Sequence, residues 1–340
     1  MIRVLVVDDS PLFQNILARG LERDPDIRVV GKAASAEQAV AMVSSLEPDV
    51  VTLDVVMPGK DGFAAVKEIM ARRPTPIVVV SSLERHTIVF PMLAAGALDV
   101  IGKPGSGGDF GAIAKKIKDL AAVHLKPAAR SRFRMKPPSM GHGGAVRRSA
   151  VAGGRRLVVI ASSAGGPQAL AQLVGQLPPG LPATVVVIQH IAMGFGQGLA
   201  NWLAESAPLP VRVAAAGEMP HPGEILIAPD DAHLVFLGDR RLAFDRTVEV
   251  KSQLRPAADV TFRSAADAFG RDLLAVVLTG MGSDGAEGAQ HVREMGGRVV
   301  VQDEATSTVY GMPHAARPFA NAEFPLSKMA DEIIRFAHGR

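Results

Sequence analysis

The chain of 340 residues contains no cysteine, one tryptophan and one tyrosine. Without cysteine, disulfide bonds and thiolate metal sites are excluded, which fits a reducing compartment. Long hydrophobic runs are also missing: the longest, residues 88–98, is interrupted by Pro91 and falls short of the ~18 residues of a membrane-spanning helix. The opening MIRVLVVDDS turns acidic directly after an apolar run and does not fit a signal peptide. These features predict a soluble, cytoplasmic protein without membrane insertion.

Positive charge is concentrated in one segment. Residues 124–156 contain nine Lys or Arg and no Asp or Glu, so the net charge of +3 becomes −6 for the remainder of the chain. The same segment includes KPPSMGHGGA, a composition that cannot build a core. We interpret residues 124–153 as an exposed basic linker between two domains, 1–123 and 154–340. A basic linker can contact nucleic acid or anionic lipid, but a solvated hinge is the favoured interpretation, and we expect no nucleic-acid partner.

Residues 1–123 alternate runs rich in valine and isoleucine with amphipathic stretches of helical spacing. Five runs are typical of buried parallel strands: IRVLVVDD, IRVVGKAA, DVVTLDVV, PIVVVSS and ALDVIGKP. This alternation predicts an open, doubly wound α/β sheet, in which binding sites form beyond the carboxyl ends of the strands.

Polar side chains follow four of these predicted strands: Asp8 with Asp9, then Asp54, Ser81 and Lys103. Carboxylates that converge on one edge repel one another unless a cation lies between them, and hard oxygen ligands of this kind suit Mg²⁺. A phosphoryl group on Asp54 would lie against that metal and the Lys103 ammonium, with the Ser81 hydroxyl beside it. The alternative for any single aspartate is a solvated strand end or a helix cap.

The motifs VVDDS, LDVVMPGKDG, VVVSS and GALDVIGKPG resemble the receiver domain of response regulators, a flavodoxin-like fold. The resemblance covers essentially all of residues 1–123. It implies that Asp54 accepts a phosphoryl group from a histidine kinase. It also implies that Asp9, Asp54 and the Val56 carbonyl bind Mg²⁺, with Asp8 acting through water.

Receivers usually control a DNA-binding output, which would require a few short helices with basic residues on the recognition helix. The rest of the chain shows strand–helix units instead: LVVIAS, ATVVVIQH, VRVAAA, EILIAP, LLAVVLTG and GRVVVQ. This pattern predicts a second doubly wound, Rossmann-like α/β domain of enzyme size rather than a DNA-binding module.

Three loops of this second domain directly follow strands and carry Ser162 with Ser163, His190 and Asp284. Parallel strands bring such loops to one edge of the sheet. A nucleophile, a base and a carboxylate that orients the base are the components of a Ser-His-Asp hydrolase. Taken singly, each residue has an ordinary alternative: a helix cap, a core histidine or a turn residue.

The size of the neighbours distinguishes the two serines. A strained strand-to-helix elbow requires small residues two positions before and after the nucleophile. Ser163 has Ala161 and Gly165 there, whereas Ser162 has the bulky Ile160. We therefore predict that Ser163 is the nucleophile, with free N–H groups of the following helix directed at an oxyanion.

The segment GMGSDG, residues 280–285, supports a competing interpretation. It matches GxGxxG between a strand and a helix, and Asp303 and Glu304 follow near the spacing of a ribose-binding acid. A nicotinamide-dependent oxidoreductase is therefore the second hypothesis. Against it, Asp284 would repel the approaching pyrophosphate, and the motif does not open a domain.

Taken together, the two halves resemble the chemotaxis protein-glutamate methylesterase family, in which a receiver precedes a catalytic domain. The second half carries this resemblance in IASSAGGPQAL, QHIAMGFG, ILIAPDDAHL, RPAADVTF, VVLTGMGSDGAEGA and QDEATSTVYGMP. The resemblance implies a catalytic triad of Ser163, His190 and Asp284. It also implies that the backbone N–H of Met281, with that of Ala164, holds the oxyanion.

The same resemblance implies what the enzyme acts on and how it is controlled. The expected reaction is hydrolysis of glutamate methyl esters, with deamidation of glutamine, on the helical cytoplasmic region of chemoreceptors. A chemotaxis histidine kinase is the expected phosphodonor, and no cofactor is expected in the catalytic domain. The unphosphorylated receiver is expected to cover the active site, with phosphorylation of Asp54 favouring an open form.

Overall fold

The computed structural model describes residues 1–55, 57, 62–81, 86–104, 110–123, 156–250 and 254–340. Below, the first half means described residues up to 123, and the second half means those from 156. Val56, a predicted metal ligand, and the predicted linker lie outside the described residues. Among the described residues, no helix is both long and apolar enough to cross a membrane.

The first half is a five-stranded parallel sheet flanked by helices. Its strands are β1 (Ile2–Val7), β2 (Ile27–Ala33), β3 (Val50–Asp54), β4 (Ile77–Ser81) and β5 (Asp99–Gly102). Its helices are α1 (Pro11–Leu21), α2 (Ala36–Leu46), α3 (Gly62–Arg72), α4 (His86–Ala95) and α5 (Phe110–Ala121). The strand order β2-β1-β3-β4-β5 confirms the predicted doubly wound sheet.

Local sequence explains where these elements begin. The Ser10 hydroxyl accepts a hydrogen bond from the Phe13 N–H at 3.3 Å, and Pro11 occupies the first turn of α1, where its missing N–H is tolerated. Strands β3 and β4 are buried along their whole length, as expected for central strands covered on both faces.

The second half contains a larger parallel sheet and a small antiparallel hairpin. The sheet strands are β6 (Arg156–Ser162), β7 (Ala183–Gln189), β8 (Val211–Val213), β9 (Ile225–Ile227), β12 (Leu273–Val277), β13 (Arg298–Gln302) and β14 (Ala322–Phe324). The hairpin is β10 (His233–Phe236) with β11 (Leu242–Asp245). The helices are α6 (Gly166–Val174), α7 (Gly196–Ala204), α8 (Ala258–Phe269), α9 (Ala286–Glu294), α10 (Met312–Ala316) and α11 (Leu326–Ala337).

All six predicted strands of this half are present, whereas β10, β11 and β14 were not anticipated. The sheet order is β14-β13-β12-β6-β7-β9-β8. Alternate residues of β6 face two separate cores: Val158 and Ile160 belong to one, and Leu157, Val159 and Ala161 to the other. Strand β6 is therefore the buried centre of the domain.

The order of the strands determines where a site can form. From β6 the chain proceeds to β7 on one side and later returns to β12 on the other. The carboxyl ends of β6, β7 and β12 therefore lie side by side, at the point where the strand order reverses and a crevice opens. The register pairs Ser162 with Gln189 and Ala161 with Val277, so the residues that follow these strands meet.

The two halves pack against each other. The Phe90 ring of α4 stacks on Trp202 of α7, with ring centroids 5.6 Å apart and an interplanar angle of 21°. The Gly165 N–H donates to the Leu98 carbonyl at 3.0 Å, and the Gln168 side-chain amide donates to the Leu93 carbonyl. The α4–β5 region of the first half thus contacts the start of α6, directly after Ser163.

Candidate active site and phosphorylation site

Three carboxylates meet at the carboxyl edge of the first sheet. One oxygen each from Asp8, Asp9 and Asp54 lies within 4.8 Å of the others. Asp8 and Asp54 are buried and Asp9 is exposed. An all-carboxylate donor set of this kind, open to solvent on one side, fits Mg²⁺, which retains several waters.

Lys103 partly neutralises this cluster. Its Nζ lies 2.7 Å from an Asp8 oxygen and 2.8 Å from an Asp54 oxygen. Burial raises the pKa of the Asp54 carboxyl above its usual value, and the hydrogen bond from Lys103 offsets this only in part. Burial acts to lower the pKa of Lys103, but its bonds to Asp54 and Asp8 outweigh burial and raise that pKa. Lys103 is therefore a cation held against Asp54.

Ser81 lies beside this cluster. It is fully buried at the end of β4, where the register pairs it with Gly102. The Lys103 N–H donates to the Ser81 carbonyl at 2.8 Å. The structure thus brings together all the predicted residues of this site that it describes.

The hydrogen bonds of the second half distinguish Ser162 from Ser163. The Ser162 hydroxyl is fully buried and donates to Gln189 Oε1 at 2.7 Å. Within the described ranges, the Ser163 hydroxyl has no hydrogen-bond partner, and the residue is 5% exposed. Ser162 is therefore engaged in holding β6 to β7, whereas the Ser163 hydroxyl remains available.

A sharp turn follows Ser163 and depends on Gly165. Gly165 has φ +73°, a left-handed conformation that favours glycine. A Cβ at this position would also lie 2.7 Å from Cβ of Thr308. Helix α6 begins at the next residue, with Pro167 in its first turn. The backbone has the strand-to-helix elbow that the small neighbours of Ser163 predicted.

His190 lies on the adjacent strand end, opposite Ser163. Its N–H donates to the Ser162 carbonyl at 3.0 Å, and His190 and Ser163 each come directly after the last pair of the β6–β7 register, Ser162 with Gln189. Neighbouring strands are about 4.8 Å apart. The Gln189 amide donates to the carbonyls of both Ser163 and His190, at 2.9 and 2.8 Å, and so ties the two loops together.

The imidazole of His190 is oriented by Asp284. His190 Nε2 lies 2.7 Å from Asp284 Oδ2, and both side chains are nearly inaccessible to solvent. Because a carboxylate only accepts, Nε2 carries the proton and Nδ1 is left as the basic nitrogen. No hydrogen bond joins Nδ1 to Ser163 in the described part of the chain.

The Asp284 carboxylate is held by the start of α8. It accepts the Ala258 N–H at 2.6 Å and the Asp259 N–H at 3.0 Å, in addition to the His190 bond. Burial acts to raise the pKa of Asp284, but the hydrogen bond from His190 and the amide bonds outweigh it, so its pKa lies below the usual value. Asp284 is therefore an anion poised to stabilise an imidazolium.

Asp259 is a site residue that the sequence reasoning missed. Its Oδ1 accepts the N–H groups of Gly285 and Gly288, at 2.9 and 2.7 Å. Asp284 thus caps α8 while Asp259 caps α9, so each helix is capped by a carboxylate from the other segment. Burial, with repulsion from Asp284, raises the pKa of Asp259 to about 6.

His233 extends the support of α8. It is fully buried, its Nδ1 accepts the Ala257 N–H at 3.1 Å, and its Nε2 lies 3.1 Å from the Val248 carbonyl. Burial lowers the pKa of His233, which favours the neutral form that this pair of bonds requires. In the sequence, His233 is marked only by its place in the motif ILIAPDDAHL.

Backbone donors surround Ser163. In the segments that the structure describes, the N–H groups of Ala164 and Met281 have no acceptor. Ala164 comes after β6, and Met281 lies in the loop after the neighbouring β12. Both pack into the apolar cluster that also contains residues of the first half. Two free N–H groups beside an available hydroxyl can hold a tetrahedral oxyanion.

The first half covers part of the His190 side of this centre. A cavity of about 200 Å³ is lined by residues of both halves: Val100, Ile101 and Lys116 from the first, and His190, Ile191, Ala192, Leu254 and Arg255 from the second. Lys116 Nζ is itself 2.5 Å from the buried Asp99 carboxylate. The face that bears His190 is thus partly covered by β5 and α5.

The competing dinucleotide-binding interpretation finds no support. The Asp284 carboxylate in GMGSDG bonds His190 and two helix amides. Asp303 Oδ1, the candidate ribose ligand, accepts the N–H and hydroxyl of Thr306 within a turn. The loop carries a buried, fully engaged anion where a pyrophosphate would have to approach.

Comparison with known proteins agrees with this architecture. The model of the response regulator receiver domain matches residues 4–115, and that of the CheB methylesterase matches residues 158–333. The class of protein is therefore a receiver domain joined to a methylesterase domain. The chain belongs to the CheB methylesterase family, which confirms the family expected from the motifs.

Relatives match over nearly the whole chain. Protein-glutamate methylesterase/protein-glutamine glutaminase 3 of Anaeromyxobacter dehalogenans is 41% identical over 98% of each chain. The corresponding protein 2 of Methanospirillum hungatei is 39% identical over 99% of this chain and 97% of its own. The crystal structure of the Thermotoga maritima CheB methylesterase catalytic domain is similar with a TM-score of 0.51 and 37% identity, and covers 53% of this chain and 97% of that one.

Proposed function

We propose that this protein hydrolyses glutamate methyl esters, and deamidates glutamines, on chemoreceptors in chemotaxis, using Ser163, His190 and Asp284. The observation that carries the proposal is an available Ser163 hydroxyl at the strand end next to that of His190, whose imidazole lies 2.7 Å from the Asp284 carboxylate. The relatives named above carry both activities in their names. The reaction takes place in the cytoplasm, where the expected receptor region lies.

The chemistry follows from the roles of the three side chains. His190 Nδ1 takes the Ser163 proton, and the Asp284 carboxylate stabilises the resulting imidazolium. As the proton leaves, Ser163 Oγ forms a bond to the ester carbonyl carbon, whose C=O π electrons move onto the oxygen. The N–H groups of Ala164 and Met281 hold the oxyanion, each contributing roughly 3–4 kcal/mol.

The tetrahedral intermediate then breaks down, and the reaction is completed by loss of the leaving group and hydrolysis of the acyl-enzyme. The methoxide takes the proton from His190 and leaves as methanol, so that an acyl–Ser163 ester remains. Water, deprotonated by His190, then attacks the acyl carbon, and Ser163 regains its proton as the glutamate carboxylate departs. With a glutamine side chain, ammonia is the leaving group in place of methanol.

Phosphorylation of Asp54 by a chemotaxis histidine kinase is the proposed control. The carboxylates of Asp9 and Asp54 and the Val56 carbonyl would hold Mg²⁺, with Asp8 acting through water; the metal, when bound, would supply positive charge beside the incoming phosphoryl group. Lys103 contributes a cation, and Ser81 contributes a hydroxyl to a phosphoryl oxygen.

The docked arrangement of the two halves supports an inhibited state. Helix α4 contacts α6 and α7, and the Leu98 carbonyl accepts the Gly165 N–H two residues after Ser163. Residues of β5 and α5 line the cavity at His190. Phosphorylation of Asp54 shifts the population towards an undocked form in which a receptor helix can reach Ser163. This control requires the domain division 1–123, 124–153 and 154–340, with the basic linker allowing the two domains to separate.

The test is methanol release from methylated receptor membranes, with and without a small-molecule phosphodonor. Ser163→Ala should abolish release, whereas Ser162→Ala, which removes only the bond to Gln189, should retain most of it. Activity lost in Ser162→Ala and kept in Ser163→Ala would overturn the assignment. A fragment of residues 154–340 should be more active than the unphosphorylated full chain, and equal or lower activity would overturn the inhibition.

A further inference from the structure

Thr279, which has no role in the mechanism above, lies where three segments of the site meet. It follows β12 and is 1% exposed. Its carbonyl accepts the Ser163 N–H at 3.1 Å, and its hydroxyl lies 3.0 Å from the Ala164 carbonyl. Two peptide units of the elbow are therefore bound by one residue, one through its main chain and one through its side chain.

The same hydroxyl also binds a third segment. Its oxygen accepts the Val309 N–H at 2.9 Å. The single hydroxyl proton has two acceptors in reach, the carbonyls of Ala164 at 3.0 Å and of Val309 at 3.3 Å, and the shorter distance favours Ala164. The hydroxyl thus makes one donated and one accepted bond, and it links the elbow to residues 308–312.

Residues 308–312 in turn fix the peptide that precedes Met281. The Gly280 N–H donates to the Val309 carbonyl at 3.0 Å, and the Gly280 carbonyl accepts the N–H groups of Gly311 and Met312 at 3.0 and 2.9 Å. Because a trans peptide is planar, a fixed Gly280 carbonyl makes the Met281 N–H point the opposite way. The orientation of that N–H is therefore set by residues 308–312.

Gly280 also brings this peptide against the nucleophile. A Cβ on Gly280 would lie 2.9 Å from the Ser163 Cβ and 3.0 Å from the Ser163 nitrogen. Only glycine permits so close an approach of the backbone. The Met281 N–H thus belongs to the peptide that packs directly on Ser163.

We propose that Thr279 is a positioning residue whose hydroxyl fixes the separation between the Ala164 and Met281 N–H groups. The inference rests on the proposed function, in which these two groups bind the oxyanion. Without the hydroxyl, the bonds to the Ala164 carbonyl and to the Val309 N–H are both lost, so the elbow and residues 308–312 are no longer joined through this side chain and the two donors drift apart. Misplacement of this kind lowers the rate of the chemical step and leaves substrate binding nearly unchanged.

The experiment compares Thr279→Val, which keeps the shape and removes the hydroxyl, with Thr279→Ser, which keeps the hydroxyl. Both are made in the full chain and assayed with a phosphodonor on methylated receptor membranes. We expect kcat of Thr279→Val to fall about 10- to 100-fold with KM within about twofold, and Thr279→Ser to restore most of kcat. Thr184→Val is the matched control, because Thr184 is also a buried threonine but lies near the start of β7, at the end away from His190.

The outcomes separate this inference from the proposed function. Wild-type kcat in Thr279→Val, with Ser163→Ala inactive, would overturn the positioning role alone. Activity in Ser163→Ala would overturn the proposed function. Thr279→Ala, which needs less space, serves as a second variant without the hydroxyl. If neither hydroxyl-free variant folds while Thr279→Ser does, the hydroxyl serves stability and the proposal is wrong.

Discussion

Replacing Gln168 by alanine removes one bond that holds the receiver domain against the catalytic domain. Gln168 lies in the first turn of α6, is half-buried, and donates its side-chain amide to the Leu93 carbonyl of α4. It contacts none of the three proposed catalytic side chains through a hydrogen bond in the described residues. The substitution therefore perturbs docking without altering the chemistry.

The size of the effect follows from the net value of one hydrogen bond. A neutral bond between protein groups contributes about 0.5–1.5 kcal/mol, which corresponds to a change of about 2- to 12-fold in the ratio of docked to undocked forms. If the unphosphorylated protein is mostly docked and the docked form is inactive, basal activity rises by that same factor. Activity at saturating phosphodonor should change little, because the undocked form already predominates there.

The assay is methanol release from methylated receptor membranes by the full chain without phosphodonor. Gln176→Ala is the matched control, since Gln176 is exposed just beyond α6 and its side-chain amide donates to the nearby Gln172 carbonyl rather than to the first half. The same Gln168→Ala change in the 154–340 fragment should leave activity unaltered. Basal activity that stays constant or falls in the full chain, with a normal fragment, would refute the inhibitory role of this contact.

Three further predictions concern the aspartates. Asp284→Asn should lower kcat by about 10⁴-fold, because His190 loses the anion that sets its tautomer; a loss below tenfold would contradict the triad. Asp9→Asn should weaken Mg²⁺ binding measured by calorimetry, since one of three carboxylates disappears; unchanged affinity would place the metal elsewhere. The pKa of Asp259 is raised to about 6, so the folded state binds its proton more tightly than the unfolded chain, and stability falls as pH rises through about 4 to 6. Asp259→Asn keeps the oxygen that accepts the amide bonds but carries no charge. The Tm difference between this variant and the parent should therefore be more positive at pH 8 than at pH 4.5. A larger gain in Tm at pH 4.5 would refute this.

The alternation of strands and helices could be predicted from the sequence because the strands of both sheets are parallel and buried. Central strands such as β6 and β7 are continuous apolar runs, and the stretches between them carry helical spacing. The hairpin β10–β11 and the short β14 were not predicted, because their sequences HLVF, LAFD and AEF contain only one β-branched residue among them. The equally short β8 and β9, VRV and ILI, contain two each and were predicted. These elements are specified by their neighbours in the fold rather than by local pattern.

The local sequence also predicted part of the candidate active site. The small residues around Ser163 predicted an elbow, and the structure has one, with Gly165 at φ +73°. Asp259 and Thr279 gave no comparable signal, because each acts through hydrogen bonds to backbone atoms of segments that only the fold brings near. A buried threonine or a helix-capping aspartate looks the same in sequence whatever it supports.

The sequence by itself determined two α/β domains and placed the chemistry-bearing residues after particular strands. Only the tertiary structure decided that Ser162 is engaged with Gln189 while Ser163 is available, and that Asp284 meets His190 across 94 positions of sequence. The reason is physical: backbone periodicity is set by each residue's near neighbours, whereas side-chain contacts depend on which strands become adjacent when the core is buried.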